Sequence, residues 1–177
     1  MQMVKRFFLG SLLFLIFLIV LAPKRELYYK LEHELKKRDI IISDEDFKPN
    51  PFGFTITNAN IYFKGLKVAN FDSLDLKIFY LYDKLEAKSI RVDKSIRELG
   101  QGSIPIDSID NLVIKFTVLK PYKISIEANG SFGDAMGGLY FNPNRLFIRI
   151  VKPKNIAPIR QFLQKDAKGL YYEKPLQ

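Results

Sequence analysis

The residues able to do chemistry are few and badly assembled. The chain has one histidine, His33, and no cysteine in 177 residues, so the common Cys/His and Ser/His/Asp arrangements have no usable base. His33 sits between Glu32 and Glu34 on the polar side of a helical pattern, and no second histidine can complete a catalytic or metal pair. Asp44, Glu45 and Asp46 are contiguous, whereas glycoside chemistry needs carboxylates that face each other across a cleft. As calcium ligands, Asp44 and Asp46 lack the glycine and closing glutamate of a binding loop. They read as a solvated turn. The glycine-rich GDAMGG at 133–138 has no Lys-Ser/Thr pair and opens no helix, so it reads as a hairpin turn or bulge. The expectation is a non-enzyme with no catalytic, cofactor-binding or metal-binding residues.

One modification pattern stands apart. Glu127-Ala128-Asn129-Gly130-Ser131 holds an N-x-[ST] acceptor with an acid two residues before the asparagine. The longer pattern resembles the acceptor of bacterial periplasmic N-glycosylation, which makes Asn129 a candidate site. The same Asn-Gly-Ser suits a turn between two strands. Net charge is +9, with basic residues spread among acids. Without an Arg-rich helix or an RNP-type aromatic motif, nucleic acid is not an expected partner. A solvated basic surface close to anionic headgroups is.

These residues need elements to carry them. Lys5 and Arg6 precede FFLGSLLFLIFLIVLA, an uncharged run over 7–22. That is the layout of an export signal, but the run is longer than a typical cleaved apolar stretch. Cleavage after Ala22 would place Pro23 where a protease needs a backbone N–H. An uncleaved signal anchor over 1–23 is therefore expected, with Phe7, Phe8, Leu12, Leu13, Phe14, Ile16, Phe17, Ile19 and Leu21 in the membrane. Basic residues after the run outnumber those before it, which taken alone would keep the domain in the cytoplasm. The short basic head points the other way, so the expectation is a single-pass bacterial inner-membrane protein with its main domain in the periplasm.

Residues 24–39 predict a juxtamembrane amphipathic helix, with Leu27, Leu31 and Leu35 recurring every fourth residue and Tyr28 widening the stripe. The stripe suits either the helix's own domain or a partner helix, and Tyr28 and Tyr29 lie at headgroup depth. From 40 to 177 the period becomes two. Strands are expected at 52–57 and 60–65, separated by Asn58 and Ala59, then at 73–82, 84–92, 110–119, 122–130, 131–142 and 145–151. Leu74, Leu76, Ile78 and Tyr80 share one face of the 73–82 strand, opposite Asp75, Lys77 and Phe79. Such alternation predicts an antiparallel sheet with one dry face, and 15 Phe and 9 Tyr suit a pleated surface. The stretch 93–108, with Gly100, Gly102 and Pro105, is the expected mobile loop. Residues 155–169 predict a short helix from Asn155 to Gly169, followed by a tail or edge strand. The expected class is mainly β (α+β): two N-terminal helices, then a curved antiparallel sheet domain with a short C-terminal helix.

Phe52-Gly53, the segment from Ile56 to Ile61, Val68-Ala69 and Leu74-Asp75-Leu76 follow one another along a run of paired amphipathic strands. With ISIEANGSFGDAMGGLYF and PKNIAPIRQFL further on, the chain resembles AsmA-like and type II secretion N-type envelope proteins. It is shorter than the larger AsmA-like proteins, which span the periplasm with a lipid groove. Two roles are weighed, the first the expected one and the second its alternative. One is a non-catalytic structural component that docks with other subunits of an envelope machine, such as a secretion system or flagellar motor scaffold. The other, implied by the resemblance, is a module whose curved sheet cradles phospholipid or another hydrophobic ligand.

Overall fold

A computed structural model of the chain describes residues 2–79, 81–93 and 106–176. Helix α1 (Gln2–Leu21) buries none of its residues and is long and apolar enough to cross a membrane. Pro23, which cannot donate to a continuing helix, separates it from helix α2 (Lys24–Lys36). Lys24 closes the joint. Its ammonium donates to the Ile19 carbonyl at 2.6 Å and to that of Val20, satisfying acceptors that a helix end leaves orphaned.

Among the described residues eleven strands follow: β1 (Ile40–Ser43), β2 (Asp46–Asn50), β3 (Gly53–Phe63), β4 (Leu66–Phe79), β5 (Tyr82–Val92), β6 (Ser108–Thr117), β7 (Lys123–Gly130), β8 (Gly133–Phe141), β9 (Asn144–Pro153), β10 (Gln164–Asp166) and β11 (Gly169–Pro175). They form one curved antiparallel sheet in the order β1-β3-β4-β5-β6-β7-β8-β9-β11-β10. Strands β1 and β2 pair with the two halves of β3, and Asp44, at φ 65°, bends the chain between them. A 3-10 helix (Ala157–Phe162) bridges β9 and β10.

Register sorts the side chains into two faces. Ile56, Leu74, Ala87, Leu112, Ala128, Ala135 and Ile150 stand opposite one another across seven strands. The next such row is Phe54, Leu76, Leu85, Ile114, Ile126, Gly137, Ile148 and Tyr172. This is the inner face. Outside it, Asp75, Glu86, Glu127 and Arg149 occupy the intervening positions, as period-two alternation requires. The outer charges are paired, Lys84 with Glu86 along β5 at 2.6 Å and Lys115 on β6 with Glu127 on β7 at 2.8 Å.

Several sequence expectations shift here. The segments 52–57 and 60–65 are one strand, not two. Asn58 adopts φ 57° within β3, and Ser89 does the same at φ 54° within β5. Each flips the alternation, so that burial passes from Ile56 to Ala59 and from Ala87 to Ile90 on the same side. Irregularities of this kind bend a sheet. The turn after β4 comes before Tyr82 rather than at Asp83. GDAMGG lies inside β8, with a register irregularity at Asp134/Ala135, and is a bulged strand rather than a turn. The C-terminal helix shrinks to the 3-10 turn, because residues 164–175 pair as a hairpin instead. Gly169, at φ 116°, opens β11 rather than ending a helix, and LYYEKP becomes the strand beside β9. The loop expected at 93–108 lies mostly outside the described residues.

Candidate functional site

The inner face is apolar along its length, and two elements cap it at separate places. On β3 and β4 the cap is α2. Tyr28, 2% exposed, packs with Phe54, Ile56, Ala59 and Phe71. Its ring stacks on Phe47 at 5.0 Å and meets Phe54 edge-on at 5.7 Å. The Tyr28 hydroxyl donates to Glu45 Oε1 at 2.9 Å. Burial first, and then that hydrogen bond and the Glu45 charge, hold the Tyr28 hydroxyl far above its usual pKa, so it stays a donor. Glu32, on the same helix, is raised by burial and secondly by Glu45.

On β7–β9 the cap is the 3-10 segment. Ile159 packs with Phe132, Ala135 and Ile150. This cap does not fill the space beneath it. A cavity of about 400 Å³ remains, walled by Ile109, Ile126, Ala128, Ile148, Ile159 and neighbouring apolar side chains. Small residues help open the void: where β3 and β4 set Phe54, Ile56, Leu74 and Leu76, the matching positions on β7 and β8 hold Ile126, Ala128, Ala135 and Gly137, three of them small. An apolar hollow with almost no polar lining offers no group for bond-making and suits a hydrocarbon segment.

The sequence-predicted residues are distributed unequally over this arrangement. The expected leucine stripe of α2 is not its packed face. Tyr28 is buried, but Leu27 and Leu31 are 46% and 44% exposed, and only Leu35 among the leucines is half-buried. The reason is the short reach of the contact: α2 meets the sheet through one large ring and the flanking turns, not along a seam. Tyr28 therefore leaves the headgroup layer for the core, while Tyr29 stays exposed. Of the three acids, Glu45 is not simply solvated, since it accepts from Tyr28. The nine anchor residues from Phe7 to Leu21 all lie on α1. Asn129 lies within β7, backbone-paired with Asn111 and Asp134, and its amide donates to Asp134. The acceptor is thus in a paired strand rather than a turn. Among the described residues no group of three His, Asp or Glu side chains converges as a metal site would.

Lys24 was not singled out from sequence, and the cavity floor of Ala128 and Ala135 was not read as one, although Ala135 lies in the GDAMGG stretch. A signal for Lys24 existed: a lysine directly after an apolar helix and its proline is placed to reach the last carbonyls. The floor had none, because small residues in a strand read only as weak strand formers.

No family model, no curated protein and no solved structure matches this chain.

Proposed function

We propose that this protein is a non-catalytic, membrane-anchored module of the bacterial inner membrane whose periplasmic sheet holds the acyl chains of membrane lipid. The observation that carries the reading is the apolar inner face, continuous over seven strands and ending in the hollow under Ile159. A face of that kind is costly to leave in water, at about 25 cal/mol per Å² of apolar surface. Lipid tails cover it without demanding any polar partner. Helix α1 supports the anchored state by length and composition. The resemblance to AsmA-like envelope proteins agrees with the same use of a curved sheet.

The test is to extract full-length protein from native membranes in mild detergent and quantify co-purifying phospholipid by mass spectrometry. Stoichiometric phospholipid is expected, and Ala128→Trp, which fills the hollow, should lose most of it while the sheet's circular dichroism is retained. Equal lipid in both proteins, no higher than in an unrelated single-span protein, would overturn the reading.

A second role is favoured by a separate observation. Strand β10 covers β11 only as far as Tyr171, so residues 172–175 have no strand on that side among the described residues. A free strand edge can take up a strand from a neighbour. Together with exposed Leu27 and Leu31 on α2, it supports docking into a larger envelope assembly such as a secretion system or flagellar motor scaffold. Under this role crosslinks from positions 173 and 31 would map to a defined set of envelope subunits, and no stoichiometric lipid would be found.

A further inference from the structure

We infer that the edge of the sheet nearest α1 lies on the bilayer that holds α1, and that three hairpin tips enter its headgroup layer. This rests on α1 being the membrane anchor, and not on what the inner face holds.

The direction of α2 sets the geometry. Tyr28 is level with Phe47 and Phe54, whereas the chain leaving α2 meets the opposite end of β3, where the Lys64 N–H donates to the Asp39 carbonyl at 2.9 Å. Helix α2 therefore runs along β3 away from the β2–β3 turn. Lys24 precedes Tyr28 by four residues, so it lies about 6 Å closer to that turn's end of the sheet. Phe52 of the turn stacks on Phe79 at 4.9 Å, at the tip of the β4–β5 hairpin. Because the strands form an antiparallel meander, the β4–β5, β6–β7 and β8–β9 hairpins all turn at this end. The anchor and the three tips are on the same side.

What those tips display suits a lipid–water boundary. Leu81 and Leu119 are 64% and 83% exposed, and Val118, Tyr122 and Phe141 are exposed beside them. Lys120, Lys123 and Arg145 are interleaved with these residues. Lys123 and Arg145 both lie over the Tyr140 ring, at 5.1 and 5.7 Å. Exposed aliphatic tips, aromatic rings and cations at one level are how proteins enter headgroups, and cations draw them to anionic lipid. The nearby acids are engaged: Asp83 accepts from the Phe79 N–H at 3.2 Å, and Glu173 accepts from Arg145 at 2.6 Å. At the other end the described turns differ. The β7–β8 turn buries Phe132, the β10–β11 turn is Asp166-Ala167-Lys168-Gly169, and the exposed apolar residues are fewer: Phe63 and Leu66 of the β3–β4 hairpin and Phe162 of the β9–β10 connection. The placement also brings the row of Ile78, Asp83, Phe116, Ile124, Leu139 and Leu146, apolar except for Asp83, to the membrane boundary.

The chain has no cysteine, so single labels are unambiguous. Leu119→Cys, Lys168→Cys and Leu13→Cys would each be labelled with an NBD fluorophore in full-length protein. Each would be reconstituted into phosphatidylcholine/phosphatidylglycerol vesicles carrying doxyl-labelled lipid. The label at 119 should be blue-shifted and quenched several-fold more than the label at 168, and the added pair Lys120→Glu and Lys123→Glu should remove most of that difference. Equal quenching at 119 and 168 overturns the inference. The label at 13 separates the premises: quenching there with none at 119 sinks the edge placement alone, and none at either sinks the anchor as well.

Discussion

Two caps close the same apolar face, and they differ in how completely they fill it. Over β3 and β4, the Tyr28 ring enters a cluster of large side chains and is held by Glu45. Over β7–β9, Ile159 packs with Phe132, Ala135 and Ile150, and about 400 Å³ beside Ala128 and Ala135 stays open. Both caps are short segments on equivalent strands of one sheet. The contrast lies in the floor, not the lid. Large residues on a pleated surface interdigitate with an incoming ring and exclude space; small ones leave a hollow that a short 3-10 turn cannot enter. The filled end packs against the helix that follows α1, and the hollow end leaves apolar side chains bordering open space.

The largest effect should come from the filled end. Tyr28→Ala removes a fully buried ring and its hydrogen bond, and is expected to cost about 3–5 kcal/mol by thermal or urea denaturation. Tyr28→Phe keeps the ring and should cost only about 1 kcal/mol. A Tyr28→Ala loss below that of Tyr28→Phe would mean that α2 is not the cap. At the hollow end Ile159→Ala should cost less, about 2 kcal/mol, because its neighbours already border open space. It should also raise the binding of an apolar dye such as ANS. An equal cost for Ile159→Ala and Tyr28→Ala would erase the distinction between the two ends.

Acid should separate them too. Arg149 donates to both carboxylate oxygens of Asp166 at 2.7 Å, and that hydrogen bonding is the main cause holding Asp166 at about 2, below its ordinary 3.8. A depressed carboxyl contributes stability that is present above its unfolded value and lost as pH falls through the folded one. The β10–β11 hairpin should therefore begin to lose amide protection, measured against the intrinsic exchange rate at each pH, as pH falls below 3.8 toward 2, and Asp166→Asn should show that loss at neutral pH. The smallest effect is expected at Glu32. Burial and Glu45 raise it above its ordinary 4.5, so its contribution is full below that value and is lost as pH rises through the higher folded one. Glu32→Gln should flatten this slope and slightly strengthen the docking of α2 at neutral pH, read as slower exchange across residues 28–36.

Much of the architecture was legible because it depends on period. The alternation over 73–78 predicts which of Leu74, Asp75, Leu76, Lys77 and Ile78 face inward, and the sheet obeys it. Where a single residue breaks the period, reading fails. Asn58 and Ser89 flip the phase through positive φ, which no neighbouring residue announces. The same holds at the site. Three leucines at helical spacing outweigh one tyrosine on paper, yet the contact selects Tyr28, because the curvature of β3 brings one position of α2 close to Phe47 and Phe54.

Composition and spacing by themselves determined that the chain begins with a helix able to cross a membrane and continues as an antiparallel sheet with one apolar face. Those properties are sums over local patterns: sixteen uncharged residues in a row over 7–22, and period two after residue 40. Only tertiary structure decided that the face is filled at one end and hollow at the other, that Glu45 meets Tyr28 across 17 residues, and that three hairpin tips lie at the end of the sheet nearest α1. Each of these depends on register and curvature, which bring together residues far apart in the chain, and no local period encodes them.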